Sequence, residues 1–330
     1  MDTIPAIIRA CVFGSGMGLL AVIAFRWLFL LPIIGGNKEQ EWAVFNPLFH
    51  RLQHWTLSLL AVQLATSILW FWLVLTNISG EGLYGSLNLK MIQIGLTQTS
   101  FGMMTSIRLG GILLLGAMLW NLSSERWYSQ QVRSPLEWGA GLLVLSLLFL
   151  LSFMGHAASS LTPGHFIHLF SDALHLVIGG LWPGMLLPFS LYLDHIRRTR
   201  WKVEMKLVGE VIHSFSNISL ISVGLLILTG CVESYFTVGR LSALIETDYG
   251  RILLTKLILV GIMIGVGFRN RFHLKRQFLS QAHGDIAKVE LIKALHRNIL
   301  IEVCLTVAVL VVVGFLGMTP PPYHASFKPS

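Results

Sequence analysis

The sequence predicts an all-α polytopic membrane protein with about eight transmembrane helices, set out as two four-helix halves related by parallel internal duplication. Three observations carry this. Of the 330 residues, 54% are hydrophobic and only 12% are charged, about half the charged share of a soluble domain. Mean hydropathy is +0.70. The apolar residues come in long runs, without the short alternating segments that a membrane β-barrel requires. Together these exclude a soluble enzyme, a secreted disulfide scaffold and a disordered chain.

A transmembrane helix needs about 20 mainly apolar residues. Eight runs satisfy this, at roughly 5–32, 52–78, 106–123, 136–156, 165–193, 209–236, 251–270 and 295–318. The first carries Arg9 and Arg26, is long and lacks a small-residue cleavage site, so it reads as a retained helix and not as a leader. The second opens with His50 and His54, and the fourth closes on Met154 and His156. The fifth holds the densest polar pattern in the chain. The sixth opens with His213, and Asn217, Gly224 and Cys231 follow on one face. The eighth is stopped by Pro320-Pro321-Pro322, which cannot continue a helix.

Charge orients the bundle. The net charge of +8 sits in short loops: Arg126 and Arg133 in the third, Arg197, Arg198, Arg200, Lys202 and Lys206 in the fifth, and Arg269, Arg271, Lys275, Arg276, Lys288, Lys293 and Arg297 in the seventh. These loops share a side, and the positive-inside rule places them in the cytoplasm. Both termini are then expected outside, in the periplasm of a bacterium. This distribution describes a chain partnered by the lipid bilayer and not by nucleic acid.

The third and seventh helices open alike. Thr99-Ser100-Phe101-Gly102 precedes Arg108, and Thr247-Asp248-Tyr249-Gly250 precedes Lys256 at the same spacing. His50 and Thr66 match His213 and Thr229 at one constant offset. Two halves entering the membrane in the same direction form a parallel repeat, and transporters commonly place a site between such halves. The alternative is that both turns only cap helices.

On the fifth helix His165, His168, Asp172 and His175 fall within roughly an 80° arc. Gly179 and Trp182 extend the stripe. An aspartate at mid-span costs roughly 2.5–3.5 kcal/mol, so these groups are expected to face the bundle interior and to bind an ion or pass protons. The alternative is a hydrogen-bonded cluster that fixes helix packing. The candidate metal residues are Met154, His156, His165, His168, Asp172 and His175. Met103, Met104, Met318 and His324 lie on the same outer side. Imidazole with thioether suits copper, the thioether favouring Cu(I). A possible inner site comprises His50, His54 and His213. Cys11, Cys231 and Cys304 are far apart and show no C-x-x-C spacing, so they form neither a disulfide framework nor a zinc site. Glu233 and Glu302 are buried acids by position, with partners that spacing does not assign.

Ala173-Leu174-His175-Leu176, Gly179-Gly180-Leu181-Trp182 with Gly184, Phe215-Ser216, Leu228-Thr229-Gly230, the Thr247–Gly250 turn with Lys256, and Gly317-Met318-Thr319-Pro320-Pro321-Pro322 together resemble the CopD family of copper-resistance inner-membrane proteins. The resemblance is strong over 150–322 and weaker before it, resting there on Arg9, Thr99, Phe101, Gly102 and Arg108. It divides the chain into an N-terminal membrane half, 1–135, and a CopD-like half, 136–330, that carries the His/Asp face. Pro183 stands where a small or apolar residue is expected, so the helix geometry there should depart from regular. The resemblance implies copper import across the inner membrane together with a periplasmic copper-binding partner. It carries over most firmly to His175, then to His156, His168 and Asp172.

Copper is therefore the expected cargo, and the chain reads as a transporter and not as an enzyme. The alternative is a membrane cytochrome with haem b as cofactor, which would move electrons and reduce Cu(II). His156, His168 or His175 would then hold an outer haem, and His54 with His213 an inner one. A second alternative is a copper-binding sensor or docking protein that does not transport. No Gly-x-x-x-x-Gly-Lys motif occurs, so ATP hydrolysis is not expected.

Overall fold

The computed structural model describes residues 3–34, 38–80, 82–122, 135–154, 164–199, 204–279 and 285–322. Among the described residues, eight helices are long and apolar enough to cross a membrane: α1 (Thr3–Leu30), α2 (Ala43–Ser79), α3 (Ser100–Asn121), α4 (Pro135–Ser152), α5 (His165–Thr199), α6 (Met205–Thr237), α7 (Asp248–Phe278) and α8 (Ala287–Leu316). No strand occurs among the described residues. The protein is an all-α multi-pass membrane protein.

Several helices run past their apolar stretches. α2, α7 and α8 each extend about two turns beyond the expected bounds at the end rich in His, Arg and Lys. A hydropathy criterion detects only the part that fits in hydrocarbon. The backbone hydrogen-bond ladder continues through charged turns that lie at headgroup level.

Successive helices run antiparallel, as contacts between their ends require. Near the start of α1, Arg9 Nη1 donates to the carbonyl of Gly317, just past α8 (3.1 Å). Near the start of α5, His168 meets Glu233 near the end of α6. At the opposite end, Arg26 of α1 pairs with Glu137 of α4 (3.0 Å), and Arg51 of α2 with Asp194 of α5 (2.8 Å). We call these the His165 end and the Arg197 end.

α1 and α5 form the centre. α1 packs on α2, α4, α5 and α8, and α5 packs on α4, α6 and α8. In their most apolar stretches 56% of α1 and 72% of α5 is buried, against 11–17% for α6, α7 and α8. The polar stripe of α5 therefore faces protein and not lipid. Phe25, Phe29, Phe45, Phe189, Tyr192 and Phe215 build a dense aromatic core toward the Arg197 end, with Phe189 stacked on Phe215 at 4.0 Å.

Pro183 interrupts α5 as its sequence position implies. Gly180–Gly184 is a π-helical turn between regular helix at His165–Gly179 and at Leu186–Thr199. Proline supplies no N–H and its ring displaces the carbonyl four residues back, and the wider turn absorbs that displacement.

The repeated Thr–Gly turns are helix N-caps of identical design. Thr99 Oγ1 accepts from Gly102 N at 2.9 Å, and Thr247 Oγ1 accepts from Gly250 N at 3.0 Å. Each glycine also lies against a carbonyl seven residues upstream. A Cβ at Gly102 would sit 1.8 Å from Gly95 O, and one at Gly250 2.1 Å from Ala243 O. Backbone atoms cannot swing aside as a side-chain tip can. Gly250→Ala should therefore destabilise the fold by about 2 kcal/mol or more and lower the unfolding midpoint in detergent. Gly265→Ala meets nothing within 4 Å and should be neutral or stabilising by up to ~1 kcal/mol. Equal midpoints for the two variants would show that the close approach is dispensable.

Candidate functional site

A cavity of about 840 Å³ reaches from the His165 end, where Arg240 and Gly317 line it, down to Trp182 and Ile264 in mid-bundle. Its walls come mainly from α1, α5, α6, α7 and α8, with Leu59 of α2 and Leu151 of α4. The polar stripe of α5 enters it as one column: His168, Asp172, His175, Gly179 and Trp182. The period of the α-helix brings these five to one side, and Gly179 leaves room for Met17 of α1 beneath His175.

α6 supplies the partners. His168 is 1% exposed. Its Nε2–H donates to Glu233 Oε2 at 2.9 Å, and its ring stacks on Phe236 at 4.9 Å. The other imidazole nitrogen, Nδ1, and the other carboxylate oxygen, Oε1, are buried with no hydrogen-bond partner. This leaves ligand capacity on both sides of the pair. Two turns deeper on α5, His175 Nδ1 lies 2.8 Å from Thr229 Oγ1. The Thr229 hydroxyl proton is committed to the carbonyl of Leu225 (2.9 Å), so the oxygen accepts and His175 Nδ1–H donates. That assignment leaves the lone pair of the neutral ring on Nε2. A histidine oriented through its second nitrogen is the usual arrangement of a metal ligand.

Asp172 lies between the two histidines in electrostatic reach of Arg9, His168 and Glu233. Arg9 is held by the Gly317 carbonyl and by the faces of Phe13 and Trp70, at 5.5 and 5.4 Å. Tyr249 and Lys256 face the same space from α7, and both feel Asp172 and Glu233. Two acids thus stand against two basic side chains, Arg9 and Lys256. Soft donors line the cavity as well: Met17 of α1, Met263 of α7 and Cys231 of α6.

The other sequence candidates are placed elsewhere. His165 is half-buried against Phe166 and is not part of the cavity wall. Met154 receives a hydrogen bond from Arg108 Nη1 at its sulfur (3.4 Å) and packs with the apolar cluster between α1 and α4. Met103 is exposed on α3. His156 and His324 fall outside the described residues. His50, His54 and His213 are exposed and do not line this cavity. Among the described residues, no three His, Cys, Asp or Glu side chains converge on a single metal position. His168 and His175 are seven residues apart, about 10 Å along the helix, so the column is a series of separated positions.

The comparisons with known proteins agree with this architecture. Residues 1–165 match the protein family described as Copper resistance protein D-like, N-terminal domain, and residues 209–316 match Copper resistance protein D. The chain belongs to the copper resistance protein D family. Copper resistance protein D of Pseudomonas syringae pv. tomato is 31% identical over 193 residues, 56% of this chain and 61% of that protein. Copper transport protein CutJ of Bacillus subtilis (strain 168) is 30% identical over 132 residues, 39% of this chain and 23% of that protein. The matches thus span less than two thirds of either relative. No solved structure matches.

For this CopD-family chain, residue spacing identified the α5 column but not what faces it. Glu233 was visible as an intramembrane acid, which by default marks a functional site. Its partner His168 is 65 residues away, and no local pattern links them. Thr229 and Glu233 lie one turn apart on α6, which was the available signal for a second wall. Met17 and Met263 carried no signal, since isolated methionines in apolar helices are ordinary packing residues.

Proposed function

We propose that this protein carries copper ions across a bacterial plasma (inner) membrane, loading them at the His165 end and releasing them at the Arg197 end. The observation that supports this best is the column of His168–Glu233, Asp172 and His175 inside one cavity that reaches mid-bundle from the His165 end. Conduction requires several modest positions in series, and a single tight site would trap the ion. Met17 and Met263 at the lower wall suit Cu(I), because thioethers are soft ligands.

Orientation follows from charge. The loops at the Arg197 end carry the Lys and Arg excess, which makes that end cytoplasmic and the His165 end periplasmic. Copper then moves inward. A periplasmic copper-binding protein would dock at the His165 end to deliver it. The copper names of the family and of both relatives support the choice of cargo.

The test is one sample analysed two ways. Detergent-purified protein should bind copper and lose it on His168→Ala or His175→Ala, while its visible spectrum stays without a Soret band after dithionite. A Soret band that shifts on reduction would replace the transport reading with an electron-transferring cytochrome. Full copper occupancy in both variants would remove the α5 column from the pathway.

A further inference from the structure

Below the cavity floor the bundle contains a second polar centre. Glu302 of α8 is 1% exposed. Asn270 Nδ2 of α7 donates to Glu302 Oε1 at 2.6 Å, and Asn298 Nδ2 of α8 donates to Asn270 Oδ1 at 2.7 Å. All three side chains are buried. Asn270 opens the π-helical turn Asn270–Lys275 of α7, an irregularity that often marks a functional position. A separate cavity of about 120 Å³ reaches Glu302 and Asn270 and extends along Ser216, Ser219, Arg271 and Lys275 toward the Arg197 end. Trp182, Val223 and Ile264 line both cavities and form the septum between them.

We propose that Glu302 is a proton-binding site that couples proton movement to the passage of the cation. The donor set is an acid with two amides and no thioether or imidazole, which is a poor match for Cu(I) and a good one for a proton. The amide chain does half of the work. Asn270 holds Oε1 in either protonation state, and Oε2 lies beside Gly267, where a proton from inner-cavity water can be taken up. One carboxylate binds one proton and releases one, with no other bond changed.

The electrostatic surroundings allow this exchange. No ion pair to Glu302 occurs among the described residues, so its charge is not already neutralised. From α7, Arg271 and Lys275 line the same cavity, and Arg271 is occupied by Ser216 and Asn217 of α6. α6 presents the hydroxyls of Ser216 and Ser219. From α5, Asp194 is paired with Arg51 and Arg198, His195 with the Val44 carbonyl, and Arg197 with His296 of α8. A cation reaching the septum from the other side favours the ionised carboxylate across a low-dielectric gap. Its arrival expels the proton, and its departure allows the proton to return.

This inference rests on the transport reading, and the experiment separates the two. The protein is reconstituted in phospholipid vesicles containing a pH-sensitive dye, with glutathione-buffered Cu(I) outside. Copper uptake and internal pH are followed under imposed pH gradients. In the wild type, proton movement should accompany copper, and uptake should respond to the gradient. Glu302→Gln keeps the hydrogen bond to Asn270 but cannot ionise. It should still bind copper yet lose both the proton movement and the gradient response, and Glu302→Asp should restore part of each. Gradient-responsive uptake in Glu302→Gln would overturn the proposal. Infrared difference spectra over a pH titration give an independent readout. A protonated-carboxyl band present in the wild type and absent in Glu302→Gln supports the proton site even if no copper is transported, in which case only the transport reading falls. A band unchanged by the substitution overturns the site.

Discussion

Asp172→Ala and His175→Ala should each abolish copper-dependent accumulation in cells while the protein remains in the membrane at normal abundance. Both residues face a cavity and are half-buried, so trimming them removes no tight packing. In the series reading each holds the ion at a different depth: removing Asp172 leaves a gap of about 10 Å between His168 and His175, and removing His175 leaves no His or Asp of the column below Asp172. A loss of even 1.4 kcal/mol at the intermediate position slows passage about tenfold. Glu233→Gln should be nearly as damaging. It keeps the hydrogen bond to His168 but removes one of the two negative charges that offset the incoming cation beside Arg9 and Lys256. His165→Ala and Met154→Leu serve as controls and should retain uptake, because neither side chain lines the cavity. Normal copper accumulation in both Asp172→Ala and His175→Ala would eliminate the pathway.

The second large effect concerns stability. Arg26→Leu or Glu137→Leu alone should destabilise the folded protein by about 3–5 kcal/mol, because each breaks a buried ion pair. The pair joins α1 to α4 at 3.0 Å, with side chains only 10% and 5% exposed, and the Arg26 guanidinium also lies over the face of Phe49 at 5.5 Å. The double variant Arg26→Leu/Glu137→Leu should recover most of the loss, since it removes both charges and keeps apolar volume. Thermal unfolding of the purified variants in one detergent checks this. A double variant no more stable than the worse single one would mean that these side chains do more than balance each other's charge.

Much of the architecture is legible in the chain. Eight apolar runs correspond to the eight long helices, and Pro183 marks the irregular turn of α5. The α5 column was readable because helical periodicity is a local property: residues three and four apart share a face wherever the helix ends up. The Thr99 and Thr247 turns were readable for the same reason, as a capping threonine and its glycine lie within one turn of each other.

The choice among the histidines was not legible. His165 and His168 are three residues apart on the same stripe, yet only His168 lines the cavity. Met154 looked like a ligand and is engaged by Arg108. His50, His54 and His213 looked like an inner site and do not converge. The inner polar centre instead joins Asn270, Asn298 and Glu302, of which only the acid was visible beforehand.

The sequence by itself determined that this is an all-α membrane protein, that it holds about eight runs long and apolar enough to cross, and that one helix carries histidines and an acid on a single face. Hydropathy and helical period need no partner to be expressed. Only the tertiary structure decided what that face looks at. Glu233, Thr229, Arg9 and Met17 reach it from helices 54 to more than 150 residues away in sequence. A hydrogen bond or ion pair across such a separation depends on how whole helices pack, and that packing is set by the volumes and small residues along their entire length.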